Sequence, residues 1–367
     1  MPPASGIELE PGAQGLDFAN YFVSYGFLYH QKDMLQDRGR MDAYRNSILN
    51  NPECFRGKTV LDVGTGSGVL AIWAGMAGAR KVYAIEATSM AQHARRLVQQ
   101  NGMQDVVVVL EGYMEKTELP EKVDVILSEW MGYFLLREAM LDSVIAARDA
   151  WLKPGGAMFP SHASLRMAPL CSNLYANRVA EYQEEILAWN DFGEWMSNGN
   201  GINVGGLTEF FHREQHEYLL QSAQWCQLRQ SEVIGDEFTL VEFDVHHTTV
   251  EQLKAVHASF TCALTEDAEL NAFGGWFDTD FRGSKAEPTS QPVTLTTQPE
   301  STTHWAQQVF MMHPPMRVQV GDTLEGTVKL ARQRLNHRLM WVQITLTLNR
   351  AGIGQVGPER TLNYRID

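Results

Sequence analysis

The hydrophobic pattern of this chain changes character twice. Over residues 16–50, Tyr21, Phe22, Tyr25, Leu28, Met34 and Leu35 recur at roughly helical spacing, which predicts an opening helical segment behind a loose tail over residues 1–15. Over residues 58–158, short apolar runs alternate with helical stretches. Strands are expected at 59–63, 81–85, 106–110 and 123–127, helices at 69–77 and 90–100, and a turn at 152–156. Strands apolar on both faces, separated by helices, predict a parallel sheet covered by crossover helices.

From residue 158 onward the period becomes two. Val342, Ile344, Leu346 and Leu348 alternate with polar residues, and the stretches 158–170 and 226–367 carry such strands without intervening helices. That predicts an antiparallel barrel or sandwich. A helical and loop insertion over about 172–225 interrupts it, broken by the glycine-rich stretch 199–206. Residues 284–303, rich in Thr, Ser, Pro and Gln, read as a long exposed loop. The expected organisation is a tail (1–15), an α/β domain with its N-terminal helices (16–157) and a β domain (158–367).

Composition narrows the function. A chain of 367 residues with 44% hydrophobic content can bury two cores. A net charge of −14 without a basic run argues against nucleic acid and favours cationic partners. Cys54, Cys171, Cys226 and Cys262 form no C-x-x-C pair, so neither a metal site nor a disulfide framework is expected. No apolar run reaches the ~18 residues of a membrane span. The N-terminal residues lack a signal-peptide pattern, and the expected location is cytoplasmic or nuclear.

The first chemical signal is the run Val60-Leu-Asp-Val-Gly-Thr-Gly-Ser-Gly68 before a helix. Small residues there let backbone approach a ligand, and helix N-terminal amides favour polar or anionic groups. Glu86 closes the second strand, where a carboxylate accepts hydrogen bonds from ribose hydroxyls. A dinucleotide fingerprint is G-x-G-x-x-G. Here the glycines are Gly64, Gly66 and Gly68, with Val69 where the third should stand. Together with Asp62, this spacing resembles S-adenosylmethionine-dependent methyltransferases rather than dehydrogenases. Asp62 itself could touch the cofactor or serve as a loop hydrogen-bond acceptor.

The second signal is Ser128-Glu-Trp-Met-Gly-Tyr-Phe-Leu-Leu-Arg-Glu138. Glu129 follows a buried strand, and a hairpin-like excursion could return Glu138 beside it. Converging carboxylates repel unless a cation lies between them. A guanidinium is planar, permanently charged and donates paired hydrogen bonds.

At this point the chain resembles the protein arginine methyltransferases, from Tyr21 to its C-terminal end. The segment 128–138 is similar to that family's double-glutamate loop. Tyr21-Phe-Val-Ser-Tyr25, Met34-Leu-Gln-Asp-Arg-Gly-Arg40 and Tyr44 resemble its N-terminal helical motif, and Thr303-His-Trp305 its Thr-His-Trp loop. Among the family, the plant-type members with a long dimerisation arm look most alike. The resemblance implies a Rossmann-like methyltransferase domain, an antiparallel β-barrel domain and a helical dimerisation arm.

The resemblance also implies roles. Glu129 and Glu138 would clamp the substrate guanidinium, with His304 and Asp37 as a supporting dyad and Trp305 positioning its loop. Tyr25, Met34 and Met140 would line the arginine pocket. Arg40 would meet the carboxylate of S-adenosylmethionine, Glu86 its ribose, and Met114 and Glu115 its adenine edge. Tyr21, Asp62 and the three glycines belong to the same cofactor set. Where relatives often carry a histidine, this chain has Gln31, with His30 one place earlier. The methionine pair Met34 and Met140 accompanies asymmetric dimethylarginine in the family. The implied partners are arginine-containing proteins such as histone tails and RNA-binding proteins, and a second copy of the chain. The apolar content of the insertion, including Leu187, Trp189, Phe192 and Trp195, suits such a dimer arm.

Two other functions fit the fold: a methyltransferase acting on a small molecule, and a catalytically silent scaffold. The paired glutamates with the Thr-His-Trp loop argue against the first, and the complete residue set against the second. His212 and His216 share a helical spacing but lack a third ligand. With His246, His247 and His257 they read as ordinary residues.

Overall fold

A computed structural model describes residues 21–23 and 25–366. The expected tail over 1–15, and the start of the opening helical segment, lie outside the described residues. Helix α1 (Leu28–Gln36) and helix α2 (Arg38–Leu49) follow a helical turn around Tyr21. The expected continuous helix is broken at Asp37, whose side chain accepts the Arg40 amide at 2.9 Å and so starts α2 as an N-cap.

Five parallel strands form the first sheet: β1 (Thr59–Val63), β2 (Lys81–Glu86), β3 (Val107–Glu111), β4 (Val123–Leu127) and β5 (Leu152–Phe159). Their order is β3-β2-β1-β4-β5, so the winding reverses between β1 and β4. Open α/β sheets bind ligands at that reversal, beyond the carboxyl ends of the strands. Helices α3 (Val69–Met76), α4 (Met90–Gln100) and α5 (Leu141–Trp151) are the crossovers. Residues 152–156, expected as a turn, are the first half of β5. Gly155 at φ +77° and a register shift opposite Asp124 make a bulge there, and Lys153 Nζ pairs with Asp124 Oδ1 at 2.8 Å.

Beyond β5 the chain enters two antiparallel sheets. One has the order β7-β12-β10-β6-β8, with β11 pairing β10, and the other β15-β14-β13-β9. Their strands are β6 (His162–Leu170), β7 (Gln224–Cys226), β8 (Phe238–Asp244), β9 (Ala255–Ala263), β10 (Ala268–Gly283), β11 (Pro288–Thr296), β12 (Gln307–Val318), β13 (Thr323–Arg332), β14 (Met340–Arg350) and β15 (Gly354–Ile366). A bridge between Gly235 and Leu264 and the stacked rings of Phe238 and Phe260, 4.2 Å apart, hold the two sheets together as a barrel-like body. The alternation read from the sequence appears directly: every second residue of β9 and β14 is buried.

The stretch expected as a long loop, residues 284–303, contains β11 instead. Its β-branched Thr289 and Val293, with Leu295, reach inward in alternation, and pairing to β10 satisfies its backbone. Asn51 fixes it to the first domain, its side chain exchanging hydrogen bonds with Gln291 O at 2.9 Å and Gln291 N at 2.8 Å.

The insertion is a helical pair, α6 (Asn173–Asn200) and α7 (Thr208–Leu220). Gly201, at φ +70°, ends α6 in the left-handed cap that glycine favours, so the glycine stretch forms a helix-ending turn. Trp189 stacks on Phe211 at 4.3 Å and donates to Thr208 Oγ1 at 2.9 Å. No residue of α6 is buried, and Leu187 and Trp195 stand 64% and 61% exposed. Among the described residues, none covers Leu187 and Trp195 enough to bury them.

Candidate active site

The glycine turn joins β1 to α3. Gly64, Gly66 and Gly68 take φ values of +70°, +54° and +89°, a backbone other residues avoid. A side chain would also collide there: a Cβ on Gly64 would lie 2.7 Å from Met140 Cε, and one on Gly66 2.9 Å from Gln31 Oε1. Met140 and Gln31 therefore press on the turn from the substrate side and from α1. Glu86, at the end of β2, braces it. Its Oε2 accepts Gly66 N at 2.9 Å, and its Oε1 accepts Thr88 N at 2.8 Å and Thr88 Oγ1 at 2.6 Å.

Asp62 is completely buried and accepts the Thr65 hydroxyl at 2.5 Å, a loop hydrogen bond. Burial pushes its carboxyl up to about 7. Met114 is buried next to exposed Glu115, which accepts the Ser143 hydroxyl of α5 at 2.5 Å. A cavity of about 320 Å³ lined by Phe22, Val23, Gly26, Phe27, Thr88 and Ser89 opens beside Glu86. Sequence reading missed Thr88 and Ser89, whose positions after β2 carry no motif. A larger cleft of about 390 Å³ between β8 and β9, bordered by Glu242, Asp244, His247 and His257, holds none of these groups.

The glutamate hairpin hangs from the end of β4. Ser128 Oγ donates to Val63 O at 2.8 Å, and Tyr44 donates to Ser128 O at 2.9 Å, so the carboxyl ends of β1 and β4 are tied together under the site. Gly132 N donates to Leu135 O at 3.1 Å and closes the hairpin. Glycine is required at that point, because a Cβ would lie 1.9 Å from Arg137 O. Phe134, Leu135, Glu138 and Ala139 all take positive φ, strain of ~1–3 kcal/mol for each such residue. Burial of Trp130, Met131, Phe134, Leu135 and Leu136 holds that strain, with the Phe134 ring 5.2 Å from Phe310 of the barrel.

The hairpin returns Glu138 to the site that holds Glu129, and the two charges oppose each other. Glu129 Oε2 takes Arg40 Nη2 at 2.9 Å and Nε at 3.1 Å, and Arg40 Nη1 donates to Met34 O at 3.0 Å. Glu138 Oε2 accepts the Tyr25 hydroxyl at 2.7 Å. Burial is the largest influence on Glu138 and raises its carboxyl; Glu129 adds to this, while Tyr25 and Arg137 oppose it. Tyr21, expected among the cofactor residues, hydrogen-bonds Glu138 and packs 5.0 Å from the Tyr25 ring. Its register on the opening helical turn brings both phenols to the same carboxylate.

The barrel supplies the remaining wall. His304 Nδ1 lies 2.7 Å from Asp37 Oδ2, and His304 N donates to the same oxygen at 2.8 Å. Burial pushes the Asp37 carboxyl up, but the His304 bond and the amides of Arg40 and His304 more than offset it, leaving it below the usual range. Trp305 is buried and donates to Met131 O at 2.8 Å, locking the His304 loop against the hairpin. Among the described residues there is no group of His, Cys, Asp and Glu able to hold a metal ion.

The arrangement fits S-adenosylmethionine. It offers a side-chain-free turn, a carboxylate at the end of β2 and a guanidinium, Arg40, bonded to Glu129. Residues 171–351 match the family model of the arginine methyltransferase oligomerization subdomain, and residues 49–161 that of ribosomal protein L11 methyltransferase (PrmA). The chain is 50% identical over 352 residues to protein arginine N-methyltransferase PRMT10 of Oryza sativa subsp. japonica, covering 95% of this chain and 93% of that one. It is similar to the crystal structure of Arabidopsis thaliana protein arginine methyltransferase 10, with a TM-score of 0.92 and 46% identity over 95% of this chain and 100% of that one. The Trypanosoma brucei PRMT1 enzyme-prozyme heterotetrameric complex with AdoHcy superposes with a TM-score of 0.79 at 30% identity, covering 94% and 100% of the two chains. With its cofactor turn, its paired glutamates and relatives of this closeness, the chain belongs to the protein arginine N-methyltransferase family and uses S-adenosylmethionine.

Proposed function

We propose that this enzyme methylates glycine-flanked arginines in cationic, extended protein segments, such as histone tails and RNA-binding proteins, and forms monomethylarginine and then asymmetric dimethylarginine. The observation that carries the reading is the convergence of Glu129 and Glu138 in one site enclosed by Tyr25, Arg40 and the His304 loop. A small neutral substrate would have no use for two opposed carboxylates. The charge of −14 favours the approach of cationic chains.

The cofactor supplies a methyl group already activated on a sulfonium. The protein's task is to make one arginine nitrogen nucleophilic. Both bonds from Arg40 go to Glu129 Oε2, which leaves Oε1 for a substrate N–H. Glu129 and Glu138 hold the positive charge on the nitrogens they bind, so electron density remains on the third. The arginine pKa exceeds ~12, so the proton leaves with or after methyl transfer. Glu138 is the acceptor we favour, because burial already favours its protonated form; the His304–Asp37 pair is the alternative relay. Met34 and Met140 are slender, flexible walls that leave space for a second methyl on the same nitrogen.

In this reading the uncovered arm docks on a second copy, and the homodimer works in the cytoplasm or nucleus. The test is incubation with methyl-labelled S-adenosylmethionine and a glycine- and arginine-rich histone tail, with products resolved by mass spectrometry. Asymmetric dimethylarginine that disappears in Glu129→Gln is expected. Symmetric product alone would overturn the product type, and unlabelled arginine on every basic protein tried would overturn the substrate class.

A further inference from the structure

The connection between β13 and β14, residues 333–339, leaves the barrel and meets the glutamate hairpin at its most strained point. Glu138 N donates to Arg338 O at 2.8 Å, and Arg338 Nη1 donates back to Glu138 O. This reciprocal pair brackets a residue at φ +83°, followed by Ala139 at +57°. The face of the same guanidinium lies 4.0 Å from the Tyr21 ring centroid and 5.5 Å from that of Phe22. Tyr21 and Tyr25 in turn hydrogen-bond the Glu138 carboxylate.

One buried side chain thus touches both the backbone that aims Glu138 and the aromatic segment that holds its carboxylate. A second arginine, Arg332, sits at the end of β13. It grips Asp142, in the first turn of α5, through two bonds of 2.7 Å. The barrel therefore anchors the hairpin's exit on both sides of Met140.

We propose that Arg338 is a positioning residue for Glu138: it holds the left-handed corner in place and docks the opening aromatic segment onto it. Its planar fork can bond in its own plane while its face stacks on a ring, which lysine cannot do. Without it the corner relaxes toward an ordinary backbone, and the Glu138 carboxylate leaves its dry setting. The glycine turn and Glu86 lie on the other side of Met140 and keep their own bonds. The proposal rests on the arginine-methylation reading through the role given to Glu138.

The experiment compares the full-length wild type with Arg338→Ala, Arg338→Lys and Glu129→Gln. It measures S-adenosylhomocysteine affinity by calorimetry, kcat and KM for a glycine/arginine peptide across pH, and melting temperature. Because Phe22 also lines the cavity beside Thr88, the expected result for Arg338→Ala is S-adenosylhomocysteine affinity within about tenfold of wild type, with kcat lower by about 100-fold, the loss typical of a ~1 Å misplacement. The acid limb of its kcat profile should move down toward the ordinary carboxylate range, and Arg338→Lys should recover only part of kcat. An active wild type with an equally active Arg338→Ala overturns the proposal alone, as does a kcat loss that merely follows lost ligand affinity and melting temperature. If the alanine variant does not fold, a lysine variant with wild-type kcat and an unmoved acid limb overturns it. An inactive wild type sinks this proposal and the arginine-methylation reading together.

Discussion

Arg40 and Glu129 form an ion pair inside the site, with Nη2 and Nε at 2.9 and 3.1 Å from the same carboxylate oxygen and both side chains only 11% exposed. The residue suited to the cofactor's carboxylate is therefore bonded to a residue suited to the substrate's guanidinium. Drawing Arg40 toward a bound cofactor frees more of the Glu129 charge. We expect a glycine/arginine peptide to bind at least about tenfold more tightly when S-adenosylhomocysteine is present, a coupling of ~1.4 kcal/mol. Calorimetry with and without S-adenosylhomocysteine reads this directly, and equal peptide affinities would remove the coupling.

Glu138 sets a pH dependence with two opposite signs. Its carboxyl titrates above the ordinary range because of burial first and the Glu129 charge besides. Chemistry that needs the carboxylate should gain kcat as pH rises through that elevated value. Stability runs the other way. The folded state holds the proton more tightly than the unfolded chain, so the contribution is complete below the ordinary glutamate value of ~4.3 and is lost as pH rises through the folded one. Glu138→Gln should abolish activity and narrow the fall in melting temperature between acid and neutral pH. A melting difference from wild type that does not vary with pH would refute the assignment.

Asp37 behaves in the usual carboxylate sense. Its folded value lies below the ordinary one, so its contribution is present above that ordinary value and lost as pH falls through the folded one. Asp37→Ala removes both an N-cap and the tie to His304, a loss of at least ~1–2 kcal/mol. Because the His304 ring reaches Asp37 through one bond, Asp37→Ala and His304→Ala should be non-additive in a urea-unfolding double-mutant cycle. Additive losses would mean that the tie contributes nothing.

The arm offers a test of assembly. Replacing residues 173–220 with a short linker removes the exposed Leu187, Trp195 and Phe210. Light scattering should then report a monomer where the full chain gives a dimer. A dimer that survives the deletion would move the interface elsewhere.

Much of the site was legible in the sequence because its parts are local. The glycine turn needs its glycines at fixed offsets, and the two glutamates return to one place because Gly132 closes a short hairpin. The strands of the parallel sheet announced themselves as apolar runs, and β9 and β14 as alternations. What escaped is set by contacts across the chain. Strand β11 is polar on its outer face and looks like a loop until its partner β10 and Asn51 are seen. That Tyr21 bonds Glu138 also escaped, because periodicity gives a helix but not the direction in which a phenol points. Arg338 lies in an unremarkable connection, and only the folded barrel brings it to Glu138.

The bond between Asp37 and His304 joins residues 267 positions apart. Closing so long a loop has an entropic cost that only the assembled sheets can offset. The His304 wall of the cleft therefore depends on the assembled sheets and on no local segment. A chain ending at the glutamate hairpin would contain the glycine turn yet lack the wall that holds Asp37. The cleft therefore needs both ends of the chain: the cofactor turn comes from residues 64–68 and the wall that holds Asp37 from residue 304.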